Sequence, residues 1–190
     1  MTVMPSAGNP WGARFMAMFH MSGDSALFRT LKQLRAAGAR REGVMWYLDG
    51  ERYVPLYEAK LVHQFDHRWA EYQDDGKTTR DLSDADKQDP NRCVQPRYWV
   101  AEAEVESRLQ ARGWARGWLL GWRDITNATN ERTVIAGVVP RVGVGNNFPL
   151  MFLGSVVTRF SAKWRYSGYE RRPRMKRYSW HSGWQCPASA

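Results

Sequence analysis

Apolar positions along this chain recur in short runs of two different periods, separated by stretches rich in Gly, Asp and Asn. Phe15, Met18 and Phe19 stand at i, i+3 and i+4, and the polar loop 21–25 follows. Leu27, Leu31 and Leu34 then form one stripe at helical spacing, which predicts a helix over 25–37. Gly38 would end it in the left-handed conformation that closes many helices. Met45–Leu48 and Tyr53–Tyr57 flank Asp49-Gly50, a pair suited to a two-residue turn, so this stretch predicts a β-hairpin.

Residues 73–91 break the pattern: they are polar and charged, without period, and read as an exposed loop or linker. Tyr98–Val100 then leads into a predicted helix over 101–112, with Val105 and Leu109 facing inward. Strands are predicted at 114–125 and 133–139, the second β-branched and ended by Pro140. Gly143–Asn147 is a turn before the apolar run 148–157, and no internal repeat is present. Together these elements predict an α+β fold, a small mixed or antiparallel sheet with flanking helices, loop-rich and part of a larger domain. The expected organisation is a loose arm over 1–11, a first α+β block over 12–72 and a polar linker over 73–92. A second α+β block over 93–158 and a basic, Trp-rich tail over 159–190 complete it.

Composition adds limits to that picture. At 43% hydrophobic and 13% aromatic residues the chain is globular in character rather than disordered. No stretch approaches the ~20 apolar residues of a membrane span, and residues 1–10 lack the features of a secretory leader. Cys93 and Cys186 lie too far apart for a zinc motif, so a reducing, cytoplasmic setting is expected. The net charge of +9 is concentrated in the tail, where 159–190 holds eight basic residues and one acidic; positions 1–158 carry only +2. Total charge therefore does not by itself assign a nucleic-acid partner.

Several constellations offer chemistry. Glu58-Ala-Lys60 after an apolar strand matches half of a metal-dependent nuclease core, in which a carboxylate holds Mg²⁺ and a lysine steadies the attacking water or phosphate. Asp49 is the one candidate for the second carboxylate, although Asp-Gly has an ordinary role in a turn. His63 and His67 are spaced like a zinc pair, but Gln64 stands where a metalloprotease has glutamate, and no clear third ligand follows. Trp114, Trp118 and Trp122 recur every fourth residue and would share one face of a strand or a helix, which suits core packing better than base stacking. Gly143-x-Gly145 is explained by turn chemistry. The loop 123–133 holds Arg123, Arg132, Asn127, Asn130 and three threonines, with little to bury. Arginine suits guanine or phosphate, asparagine adenine, and threonine a phosphate or a thymine methyl.

Longer strings carry a resemblance. They are Asn9–Phe15 with Met18–Ser25 and Leu27-Phe28, then Tyr53–Lys60 with His63–Arg68, then Gly117–Ile125. The last runs from Asn130–Ile135 through Pro140–Gly145 to Phe148–Leu150. In combination, over roughly 9–153, they resemble the C-terminal, target-recognition side of large N6-adenine DNA methyltransferases. These are enzymes of restriction-modification and of the BREX and DISARM phage-defence systems. The resemblance implies double-stranded DNA as partner, a separate catalytic segment, and S-adenosylmethionine as cofactor of the full-length enzyme but none in this chain. It also weighs against the nuclease reading, since Glu58-Ala-Lys60 falls within a family string.

Two departures shape the expectation. The family's catalytic Asn/Asp-Pro-Pro-aromatic motif, which holds the flipped adenine, is absent, as is the Gly-rich cofactor loop. Asn9-Pro10-Trp11 lacks the second proline. The chain is therefore expected to hold no methyl-transfer centre and to be inactive as an enzyme alone. After Leu153 the tail also departs from the family pattern, and a truncated or out-of-frame ending is expected there. The expected DNA-binding residues are Lys60, His63, Arg68, Arg123, Asn127, Asn130, Arg132 and Arg141. The alternatives are a nuclease using Asp49, Glu58 and Lys60, and a non-catalytic remnant or interaction module.

Overall fold

The computed structural model describes residue 9 and residues 12–127 and 130–154. In chain order the strands are β1 (Arg14–Met16), β2 (Phe28–Thr30), β3 (Arg40–Glu42), β4 (Met45–Leu48), β5 (Glu51–Tyr57) and β6 (Ala70–Tyr72). They continue as β7 (Thr79–Asp81), β8 (Tyr98–Ala101), β9 (Trp118–Trp122), β10 (Ala136–Pro140), β11 (Gly143–Val144) and β12 (Leu150–Phe152). The helices are α1 (Leu31–Ala36), α2 (Asp84–Gln88) and α3 (Glu102–Gln110). The fold is α+β with mostly antiparallel pairing.

The predicted hairpin forms β4 and β5. Asp49 and Gly50 both take positive φ, 51° and 81°, so the turn twists with the strands it joins and pairs Leu48 with Glu51. β5 is the centre of a six-stranded sheet ordered β2-β8-β5-β4-β3, with β11 running parallel to its end. A second sheet, β1-β12-β9-β10, is antiparallel throughout. β8 lies between β2 and β5, while β1 pairs with β12. The chain segments before and after residues 73–92 thus interleave around a common core. Phe19, Leu56, Val100, Leu109, Leu119, Phe148 and Leu150 are fully buried in it.

The helix predicted over 25–37 is shorter than its apolar stripe. Phe28–Thr30 instead pair with Tyr98–Val100, and α1 begins only at Leu31. Thr30 Oγ1 accepts the Gln33 N–H at 3.2 Å, and Gln33 Oε1 accepts the Thr30 N–H at 2.8 Å, closing a capping box. Gly38, with φ 74°, follows the helix end as expected. Leu31 and Leu34 cover Trp46, Tyr53 and Trp99 on the far face of the six-stranded sheet, where Trp99 Nε1 donates to Val44 O at 2.7 Å. α3 matches its prediction closely, and Val105 and Leu109 are buried.

Residues 73–92 hold more structure than a linker. β6 and β7 form a hairpin, and α2 is capped by Ser83 and Asp86 in a capping box. The nearly buried Glu71 pairs with Arg80 at 2.7 Å and with Arg92, and Arg80 also reaches Asp86 at 3.2 Å. Ion pairs and caps order this segment in place of an apolar stripe, which is why periodicity does not reveal it. Among the described residues no helix is long and apolar enough to cross a membrane.

Candidate nucleic-acid interface

The site is built on the outer edge of β10. Val62 is buried, and after it the chain doubles back on itself: the His63 N–H donates to Asp66 O at 2.7 Å and the Asp66 N–H to His63 O at 3.0 Å. This turn covers β10, because the Phe65 N–H donates to Ala136 O at 3.0 Å and Gln64 Oε1 accepts the Ala136 N–H at 2.9 Å. The first residue of an edge strand, which would otherwise present free backbone groups, is thereby covered. The close approach depends on Gly137, where a Cβ would lie 2.9 Å from Val62 Cγ1.

Behind the turn, the His63 ring lies on Trp69 with centroids 4.4 Å apart. The Lys87 ammonium stands 4.8 Å from the Trp69 ring centroid and pairs with Asp66 at 2.8 Å. Burial, and then the neighbouring Arg123 guanidinium, holds the His63 imidazole below its usual range, against the opposing pull of Asp66. Arg123 joins two elements. Its Nε donates to Val62 O at 2.8 Å and its backbone N–H to Ile135 O at 2.9 Å.

The Arg123–Ile135 bond brings these two positions together, and the described residues between them, 124–127 and 130–134, are almost all exposed. Asn127, Asn130 and Arg132 are among the exposed ones. Thr126 Oγ1 donates to Thr133 O at 3.3 Å, and the Asn130 N–H to Asn127 O at 2.9 Å. Beside the polar groups stand apolar ones that are largely exposed: Ile125 at 84%, Val134 at 59% and Phe65 at 82%. Sequence reasoning missed all three. Ile125 and Val134 were visible as apolar residues inside a polar loop; Phe65 becomes notable only once its turn is seen.

The eight expected contact residues divide. His63 and Arg123 meet at the turn, and Asn127, Asn130 and Arg132 share the loop that Arg123 anchors. Lys60 is exposed nearby in the chain, its ammonium 5.1 Å from the Tyr72 ring centroid. Arg68 and Arg141 are engaged elsewhere. The Arg68 guanidinium donates to the carbonyls of Lys87, Asp89 and Arg92, closing the C-terminal end of α2. Arg141 forms a two-pronged pair with Glu106, both contacts at 2.7 Å, and donates to the carbonyls of Trp114 and Arg116. Both guanidinium groups are engaged by the fold.

Two other constellations come apart. Asp49 and Glu58 lie at opposite ends of the seven-residue β5, about 20 Å or more apart at ~3.3 Å per residue. Glu58 is buried beside the Tyr72 phenol, whose pKa burial and then this carboxylate raise. His63 and His67 do not share a helical face, because the intervening residues form the tight turn described above. Among the described residues no group of three or more His, Cys, Asp and Glu is placed to hold a metal ion. A shallow depression at the hairpin tip, lined by Asp49, Glu51, Arg52, Glu102 and Glu106, is acidic on balance and unsuited to phosphate.

Trp114 is buried in the core, as its packing reading requires, whereas Trp118 and Trp122 stand half-buried on the outer face of β9. Compared with family models, with curated proteins and with solved structures, the chain matches none.

Proposed function

We propose that this chain is a DNA-recognition segment whose contacts lie on the 123–135 loop, and that it serves an adenine-N6 DNA methyltransferase. The observation that carries the reading is the loop itself. Arg132 and the two asparagines project from a base pinned by Arg123, next to uncovered apolar side chains. That combination supplies a phosphate or guanine ligand, adenine-type donors and acceptors, and apolar contacts for thymine methyls or sugars. The methyltransferase part rests on the resemblance of the strings given above, two of which meet here: His63–Arg68 supplies the turn, and Asn130–Ile135 leads back to β10. Methyl transfer and S-adenosylmethionine binding belong to a catalytic segment elsewhere.

The test is duplex binding by the full chain, with a site selected from a random-sequence pool. Arg132 makes no hydrogen bond or ion pair within the described residues, so Arg132→Ala should leave the melting temperature unchanged. It should weaken binding by about 1–3 kcal/mol if the residue reads a base, or reduce the salt slope by about 0.9 if it holds a phosphate. If Arg123→Ala and Arg132→Ala both bind the selected duplex as the parent does, the reading fails.

A second reading has an observation of its own. On the outer face of the four-stranded sheet, Phe15, Trp118, Leu120, Trp122, Val138 and Met151 form a half-exposed apolar surface. A module that docks on a separate catalytic segment would use such a face. Loss of complex formation with that segment in Trp122→Ser, with duplex binding retained, supports it.

A further inference from the structure

Phe65 combines features that fold stability does not explain. Among the described residues only Asp49 and Phe65 have positive φ without being glycine, at 51° and 60°. Asp49 occupies a two-residue hairpin turn, where Asp is a normal choice. An aromatic residue gains nothing from the left-handed region, and Gly or Asn would hold the same turn with less strain. The ring is also 82% exposed. Strain and exposure at one large apolar residue point to a use outside the fold.

The presentation is rigid. Backbone bonds link His63 and Asp66 in both directions, the Phe65 N–H donates to Ala136 O, and Gln64 Oε1 accepts the Ala136 N–H. Arg123 Nε holds the carbonyl of Val62, and the His63–Trp69 stack backs the turn. A ring on so fixed a mount loses little freedom when it binds. Acidic as well as basic groups stand around it, Asp66, Asp124 and Glu131 against Arg123 and Arg132, so flat apolar contact rather than net charge is what this turn offers. The Arg123 backbone bonds to Ile135, next to the Ala136 carbonyl that holds Phe65, and the loop from Arg123 carries Arg132, with Ile125 and Val134 uncovered.

We infer that Phe65 is a wedge that enters the base stack of bound DNA, taking the stacking place of a neighbouring base while the exposed Arg132 faces the backbone. Apolar side chains that part a base step in this way open the duplex and let a bent or unstacked site wrap the protein. The inference rests on the DNA reading and assigns a role to a residue outside the 123–135 loop. The step involves no covalent change, only exchange of base–base stacking for base–ring stacking.

The experiment uses the full chain and the selected duplex, with 2-aminopurine placed at successive adenine positions. Binding of the parent chain should raise 2-aminopurine fluorescence severalfold at one step, the mark of an unstacked base. Phe65→Ala should abolish that rise while changing affinity by less than about tenfold, and Phe65→Trp should retain it. Phe65→Gly, which suits the positive φ, should match or exceed the parent's melting temperature. A fluorescence rise that persists in Phe65→Ala, or parent binding with no unstacked position, overturns the wedge and leaves the DNA reading standing. A fall of several degrees in Phe65→Gly assigns the ring to the fold and also overturns it. Failure of the parent to bind any duplex overturns the DNA reading itself.

Discussion

The two main sheets of this protein are finished to different degrees. The six-stranded sheet buries both faces, one against the common core and the other under Leu31 and Leu34 of α1. The four-stranded sheet buries only the face that carries Leu119, Leu150 and Phe152, and leaves Phe15, Trp118, Trp122 and Val138 partly or largely uncovered. The same contrast runs through the arginines. Arg108 donates to Met18 O at 2.7 Å and to Asp24 at 3.1 Å, and Arg141 ties α3 to the approach to β9. At the far edge of the four-stranded sheet, Arg132 is committed to nothing among the described residues. Where the fold is complete, cations serve as internal fasteners. Beside the open face Arg123 still fastens the Val62 carbonyl, while Arg132 keeps an exposed guanidinium.

Tryptophan substitutions test that contrast most severely. Trp99→Ala should cost about 3–5 kcal/mol, because it empties a fully buried site and leaves the Val44 carbonyl without its donor. Trp122→Ala removes a half-buried ring that meets Phe15 edge-on, and should cost under about 1.5 kcal/mol. Denaturant unfolding of both variants measures the difference; equal costs would mean that the outer face is as structural as the inner one.

A pH titration gives the next largest effect and tests whether the turn region is built into the fold. Burial, and then the adjacent Arg68 guanidinium, pushes the His67 imidazole down to about 4, while Asp66 opposes the shift. The unfolded chain binds the proton first, near pH 6.5, so this group's contribution is fully present above 6.5 and is lost as pH falls toward 4. The loss should total about 2–3 kcal/mol and shrink markedly in His67→Gln. A stability profile for the parent that is flat between pH 6.5 and 4.5 contradicts the burial assigned to this ring.

A further substitution separates fastener from ligand. Arg141→Ala should lower stability by about 2 kcal/mol, through the lost Glu106 pair and two undonated carbonyls, yet leave duplex affinity unchanged where the variant is folded. Calorimetry paired with binding checks this, and a loss of affinity without a loss of stability would return Arg141 to the interface.

Much of the fold was legible where the signal is local. Asp49-Gly50 marks its hairpin because both residues tolerate positive φ, and Val105 with Leu109 marks the inward face of α3. Pro140 closes β10 as a residue without an N–H should. The capping boxes at Thr30–Gln33 and Ser83–Asp86 emerged only in the structure, and each stands at a helix start that the apolar pattern did not mark. The candidate site was half legible. Composition singled out the 123–133 loop, but grouped it with Arg68 and Arg141, whose chemistry is the same and whose donors are already taken.

What the chain determined by itself is therefore its turns, its caps and the alternation that makes its strands amphipathic, because each depends on a few neighbouring residues. The tertiary structure decided which of eight similar polar residues stay available. It interleaved β8 and β1 with distant strands, drew Glu58 into the interior far from Asp49, and set the strained Phe65 beside the loop that Arg123 anchors. Those outcomes depend on pairings between residues tens of positions apart. Local pattern does not encode them, since an arginine that fastens a helix and one that stays exposed are identical until their neighbours are known.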